Sequence, residues 1–171
     1  MGADLAVLRN NLEALERVLV AFSGGADSAF LAWVAHDTLG YESARCFTAV
    51  SPSIADSELE ECARLAQEWG LNWEPIKTSE MENAAYRVND SDRCYYCKSA
   101  LMDVAEPVAQ LHDCVVVLGV NTDDLGDHRP GQSAAEERKA RFPLVEAKFS
   151  KADVRAHSQH LGLRTWDKPA A

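Results

Sequence analysis

The chain is short of positive charge. Seventeen Lys and Arg stand against 27 Asp and Glu, a formal net charge of −10. Binding to nucleic-acid backbones usually leaves a basic footprint, so nucleic acid is not an expected partner and a small-molecule substrate is favoured. No stretch approaches the roughly 20 apolar residues of a membrane span. No basic region followed by an apolar one marks a signal peptide. Met1-Gly-Ala-Asp-Leu-Ala6 has Ala where a myristoylation motif wants Ser or Thr. No membrane partner is therefore expected. The cysteines are only Cys46, Cys62, Cys94, Cys97 and Cys114. An odd count without a signal peptide argues against a disulfide framework and for a reducing cytoplasm. There is one Cys-x-x-Cys and no second, so a Cys₄ zinc site within one chain is not expected. His157 and His160 lie three apart on a predicted helix, but two ligands do not make a zinc site. Internal repeats and low-complexity segments are also missing.

What is present fits an ordinary globular protein: 171 residues, 47% hydrophobic and 26% charged. The length predicts one domain, residues 1–171, large enough for a real core. Residues 3 to 17 carry Leu5, Leu8, Leu12 and Leu15 on one stripe and read as a helix packed on a sheet edge. Strands are expected at Val18 to Phe22, Ala44 to Val50, Asn72 to Lys77 and Cys114 to Val120, the last nearly all apolar and so central. Helices are expected from Ala26 to Gly40, from about Ile54 to Trp69, from Lys98 to about His112 with Pro107 as a kink, and from Ser150 to Leu161. Ser150 and Asp153 form a capping box on the last. Residues 79 to 92 look irregular, 133 to 140 suggest a short helix, and Phe142-Pro-Leu-Val145 suggests a fifth strand. Cys46, Cys62 and Cys114 are assigned to the core. Strands alternating with helices predict an α/β fold: a doubly wound parallel sheet of about five strands with helices on both faces.

The chain is organised around Val18-Leu-Val-Ala-Phe-Ser-Gly-Gly-Ala-Asp-Ser28. A buried strand breaks into Ser23-Gly24-Gly25 and resumes as a helix. Gly24 and Gly25 permit positive φ and close backbone approach. The unpaired N–H groups and dipole of the helix start favour an anion, and Ser23 and Ser28 add hydroxyl donors. Asp27 would repel a phosphate unless it holds Mg²⁺, which binds through one or two carboxylates plus substrate phosphates. No Gly-Lys-Ser/Thr follows, which excludes the Walker-type P-loop. The bland alternative is a Gly-rich turn with a serine cap. In open α/β sheets ligands sit beyond the carboxyl ends of the strands. That puts the Ser23–Ser28 loop on one rim with the Val50–Ser51 strand end, an adenine fitting between them. Asn121-Thr-Asp-Asp-Leu-Gly-Asp-His-Arg-Pro-Gly131 is expected on the same rim, its alternative being a solvated turn.

Ser23-Gly-Gly-Ala-Asp-Ser28 resembles the SGGxDS signature of the PP-loop ATP pyrophosphatases, whose fold is adenine nucleotide alpha hydrolase-like. Members cleave ATP between the α and β phosphates and adenylate a substrate oxygen. Arg93-Cys-Tyr-Tyr-Cys-Lys98, the stretch Gly119 to Gly131, and Leu161-Gly-Leu-Arg-Thr-Trp-Asp-Lys-Pro169 narrow the resemblance, which runs from Val18 to Ala171, to the LarE family of ATP-dependent sacrificial sulfur transferases. The resemblance implies adenylation of a carboxylate of a pyridinium mononucleotide in making a nickel-pincer cofactor, with ATP and Mg²⁺ as cofactors and a small nucleotide substrate as partner; self-association into a homo-oligomer is left open. It implies ATP binding by Ser23, Gly24, Gly25, Asp27, Ser28, Val50, Ser51 and Gly119. It implies metal binding and catalysis by Asp27 and Asp124, and contacts to substrate or pyrophosphate from Arg93, Asn121, Asp127 and Arg129. Family members continue well beyond the Lys-Pro segment, where a sacrificial cysteine follows; that cysteine is not among these residues, so the adenylating half is what the sequence supports.

Cys94 and Cys97 suit half of a zinc site, a redox pair or a structural role. Arg93, Lys98 and a helix N-terminus following the pair would each lower a thiol pKa, but structural or rim packing is favoured over sulfur chemistry. Two other functions stay open. A tRNA thiolation enzyme of the same superfamily is disfavoured by the charge. A non-catalytic ATP-binding module would bind ATP without releasing pyrophosphate.

Overall fold

The computed structural model describes residues 3–50, 56–77, 90–126 and 140–168, with backbone alone for 90–100, 125 and 126. In chain order the elements are α1 (Leu5–Leu15), β1 (Val18–Ala21), α2 (Ala26–Leu39), β2 (Ala44–Val50), α3 (Asp56–Trp69), β3 (Asn72–Lys77), α4 (Asp90–His112), β4 (Val115–Val117), a 3₁₀ turn (Thr122–Gly126), α5 (Pro143–Glu146) and α6 (Lys151–His160).

The four strands form one parallel sheet in the order β3-β2-β1-β4. Val18 of β1 pairs with Ala44 of β2 and with Val115 of β4. The first three strands are laid down outward from β1, and the connection through α4 then carries the chain back to its other side. The switch point therefore lies between the carboxyl ends of β1 and β4, where open parallel sheets bind ligands.

Alternation along the strands explains the two-faced core. Val18 and Val20 point with Val117 toward Leu8, Leu12, Phe30, Leu31, Leu65, Phe149 and Val154. Leu19 points with Val116 and Leu118 to the other face, against Met102, Ala105 and Ala109 of α4. Nine residues of α2 are buried, from Ala26 to Ala35. A helix apolar nearly all round belongs in an interior, and α2 is held there by α1 on one side and α6 on the other.

Several expectations need correction. Phe142 to Val145 is not a strand. Pro143 takes the first turn of α5, where its missing N–H costs nothing, and only Arg141 makes a parallel bridge, to Val117. Asp90 to Asp92 are helical, so Cys94 and Cys97 lie inside α4 rather than ahead of it. Helix α4 runs through Pro107 to His112. Cys46 and Cys62 are buried as expected, but Cys114 precedes β4, is only half-buried and directs its Sγ to the His112 carbonyl at 3.5 Å. The capping box at Ser150 and Asp153 is present in full. Residues 133 to 139 lie outside the described residues.

Candidate active site

The chain leaves β1 through Phe22 and turns at once. Gly24 has φ +85, a conformation that L side chains resist. Gly25 corrects the expectation of two positive-φ glycines: it is the N-cap of α2 at φ −74 and ψ 170, open to any residue. Having no side chain, Gly25 cannot cap α2, so the first-turn N–H groups receive no capping acceptor from it. The serines brace the turn. Ser28 Oγ accepts from the Ser23 backbone N–H at 3.0 Å and lies 2.8 Å from Ser23 Oγ. Gly25 N–H approaches Ser23 Oγ at 3.4 Å.

Asp27, in the first turn of α2, is only 7% exposed. Asn121, just past β4, is 2% exposed and donates from Nδ2 to Asp27 Oδ2 at 3.1 Å. The pair is separated by 94 residues in sequence and meets because β1 and β4 are neighbours. Asn121 also builds the loop it opens. Its Oδ1 accepts from the N–H groups of Asp123 and Asp124 at 2.9 and 3.2 Å, and its own N–H donates to Asp124 Oδ2 at 3.1 Å. One asparagine therefore links two carboxylates. Burial pushes the Asp27 pKa up; the Asn121 hydrogen bond and the charges of Lys151 and Arg155 offset part of that, while Asp124 adds to it.

The site is closed from α6. Asp123 Oδ2 accepts from Lys151 N–H at 2.9 Å, and Thr122 N–H donates to the Phe149 carbonyl at 2.9 Å. Lys151 and Arg155 stand four apart on α6, a helical spacing that shares one face and was there to be found in the sequence.

Gly119 meets this region from behind. A Cβ there would stand 2.9 Å from both Cα and N of Ser28. Val50 ends β2, half-buried and paired with Lys77. Ser51, Asp127 and Arg129 lie outside the described residues, and Arg93, Cys94 and Cys97 are placed by backbone only, in the first turns of α4. His157 is half-buried with Nε2 2.8 Å from the Ala3 carbonyl, and its ring centroid is 5.2 Å from that of Phe149. His160 is exposed. Among the described residues no group of three or more His, Cys, Asp or Glu could hold a metal ion. The two linked carboxylates do suit an ion that takes its other ligands from phosphates and water.

Strand order and the helices on both faces together define a doubly wound parallel α/β domain of the PP-loop fold. Solved structures share that fold: an NH3-dependent NAD synthetase from Campylobacter jejuni (TM-score 0.70, 19% identity, 94% of this chain and 71% of that one) and an NMN synthetase from Francisella tularensis (TM-score 0.71, 16% identity, 98% and 76%). The particular relationship is narrower. The chain is similar to LarE, the pyridinium-3,5-bisthiocarboxylic acid mononucleotide synthase of Lactiplantibacillus plantarum, with 36% identity over 172 residues that take in 100% of this chain and 62% of that protein. It is 49% identical over 171 residues to an uncharacterized protein of Synechocystis sp., covering 99% of this chain and 63% of that one. The chain thus spans less than two thirds of these relatives' length. No protein-family model matches it. No helix among the described residues is long and apolar enough to cross a membrane.

Proposed function

We propose that these residues form the ATP-activating part of a LarE-type sulfur transferase. A carboxylate oxygen of a nucleotide substrate attacks the α-phosphorus of ATP. The bond to the β-phosphate oxygen breaks, pyrophosphate leaves with the bonding pair, and an acyl-adenylate remains. The observation that carries this reading is the Asp27–Asn121–Asp124 constellation at the switch point, facing the uncapped start of α2.

The Ser23–Ser28 loop holds the phosphates through backbone N–H groups and the two hydroxyls. Asp27 and Asp124 hold Mg²⁺, which supplies positive charge against the phosphates when bound. Asn121 fixes both carboxylates before the ligand arrives, so little reorganisation is left for the reaction. Val50, Ser51 and Gly119 border the adenosine, and Arg93, Asp127 and Arg129 serve the substrate and pyrophosphate. The described thiols are poor sulfur donors. Burial pushes Cys46 up to about 12 and raises Cys62 and Cys114 as well, and a neutral thiol is a weak nucleophile. Cys94 and Cys97 are kept as packing residues of the substrate rim, with sulfur chemistry as their alternative.

The test is calorimetry of ATP binding and measurement of pyrophosphate release with Mg²⁺ and a dicarboxylate pyridinium mononucleotide. Asp27→Asn should abolish Mg²⁺-dependent release. Gly25→Val should block ATP binding, and it is a clean probe because Gly25 already has a φ that valine adopts without strain. Normal ATP affinity in Gly25→Val would sink the assignment of the loop.

A further inference from the structure

The nucleotide loop is held from behind by residues with no place in the chemistry. Thr48 lies near the end of β2 and is 3% exposed. Its Oγ1 is 2.6 Å from the carbonyl oxygen of Phe22, the last carbonyl before the Ser23-Gly24-Gly25 turn. Trp73 of β3 places Nε1 2.7 Å from the same Oγ1. An indole N–H can only donate, so Thr48 Oγ1 accepts from Trp73 and its single proton goes to Phe22. The direction of the whole chain is fixed without a choice of rotor, and consecutive bonds of this kind strengthen one another. A third element joins from α3. Cys62 Sγ lies 3.9 Å from the Phe22 carbonyl and 3.3 Å from where a Cβ on Gly24 would stand. The Phe22 N–H is meanwhile spent on the Phe47 carbonyl at 2.8 Å. The Phe22 carbonyl from which the loop springs is therefore held by β2 and α3, and β3 orients the β2 hydroxyl that holds it.

We propose that Thr48 is the positioning residue of the Ser23–Ser28 loop, with Trp73 as its orienting partner: together they aim the loop's N–H groups at the bound phosphates. This rests on the nucleotide reading of the loop, but its first test does not. Hydrogen exchange in the nucleotide-free protein reads the amides of Ser23 to Ala26 directly. Thr48→Val keeps the volume and removes the hydroxyl, leaving a buried carbonyl and a part-buried indole N–H each short of a partner. Exchange at those amides should rise about tenfold, and Thr48→Ser should stay within about twofold of the parent. In turnover, Thr48→Val should raise KM for ATP about tenfold with kcat nearly unchanged, and Trp73→Phe, which keeps an aromatic ring against the core but removes the N–H, about threefold. The serine variant should restore the parent KM.

Unchanged exchange in Thr48→Val would overturn the proposal, as would equal impairment in Thr48→Ser and Thr48→Val, which would make the methyl group the part that matters. Should Thr48→Val fold poorly, Trp73→Phe carries the same test with Thr48 intact. A parent protein that binds no ATP would remove the nucleotide reading, while the exchange rates would still decide whether Thr48 positions the loop.

Discussion

At the end of β1 the chain turns on Gly24, whose φ of +85 no ordinary side chain favours. At the end of β4 it passes Gly119, which needs no unusual conformation. There a Cβ would stand 2.9 Å from the Cα and N of Ser28, and 3.1 Å from the carbonyl carbon of Asp27. The two glycines stand at the switch point between β1 and β4. The first bends a loop toward the ligand side; the second lets one strand end press against the first turn of α2, so that Asn121 can reach Asp27. One glycine is required by torsion and the other by proximity. The contact behind Gly24 is a single sulfur, Cys62 Sγ at 3.3 Å, whereas the contact behind Gly119 is main chain.

That difference predicts a difference in cost. Gly119→Ala should be the more damaging, by about 2–3 kcal/mol, because backbone on a packed helix cannot yield and overpacking must be absorbed by moving α2 or β4. For a domain of this size that is a fall in Tm of roughly 5–10 °C. The displacement should also part Asn121 from Asp27, so Mg²⁺-dependent pyrophosphate release should fall with it. A Gly119→Ala protein with parental Tm would show that the two strand ends can separate freely.

Gly24→Ala comes next, at about 1–2 kcal/mol for the left-handed backbone. Cys62 Sγ can give by a few tenths of an ångström, so pairing it with Cys62→Ala should recover little. Full recovery in the double variant would mean that space rather than torsion makes Gly24 necessary, and the contrast with Gly119 would collapse.

The sequence displayed the first glycine and hid the second. Ser23-Gly24-Gly25 between an apolar run and a helical period announces a strand, turn and helix by local chemistry alone. All four strands and the five longer helices were legible in the same way, as was the capping box at Ser150. Gly119 sits in an apolar stretch, Cys114 to Val120, where nothing local signals that another backbone lies against it. Asn121 was visible as a polar residue at a strand end, but its double attachment to Asp27 and Asp124 depends on β4 lying beside β1, a fact of topology. Thr48 and Trp73 gave no sign, since a threonine and a tryptophan on strands read as ordinary sheet residues. The fifth strand failed because Phe142 to Val145 is only a short apolar run, and Pro143 starts a helix more readily than it joins a ladder.

The smallest expected effect concerns Asp27 itself, where the two strand ends meet. Burial lifts its pKa above 3.8, with Asp124 adding to the lift and Asn121, Lys151 and Arg155 opposing it. A carboxyl group whose folded pKa exceeds its unfolded one binds protons more readily when folded. Its contribution to stability is complete below the unfolded value and is lost as pH rises through the folded value. At neutral pH and without metal, ionised Asp27 is thus a burden on the fold. Asp27→Asn, which abolishes the activity proposed above, should therefore raise the Tm of the metal-free protein at pH 7. Its advantage should shrink as pH falls through the raised pKa, where Asp27 in the parent takes up its proton. Glu61 and Asp153 have lowered pKa values: burial opposes the shift at Glu61, but its bonds to Lys168 and Arg164 prevail, and at Asp153 the Ser150 backbone N–H leads. Their contributions run the other way, present above the unfolded pKa and lost in acid, but they are common to both proteins and cancel in the difference. The measurement is the Tm of parent and variant in chelator from pH 4 to pH 7. A variant no more stable than the parent at pH 7 would mean that the hydrogen bond from Asn121 and the charges of Lys151 and Arg155 fully compensate the buried carboxylate, and that β1 and β4 hold Asp27 at no cost to the fold.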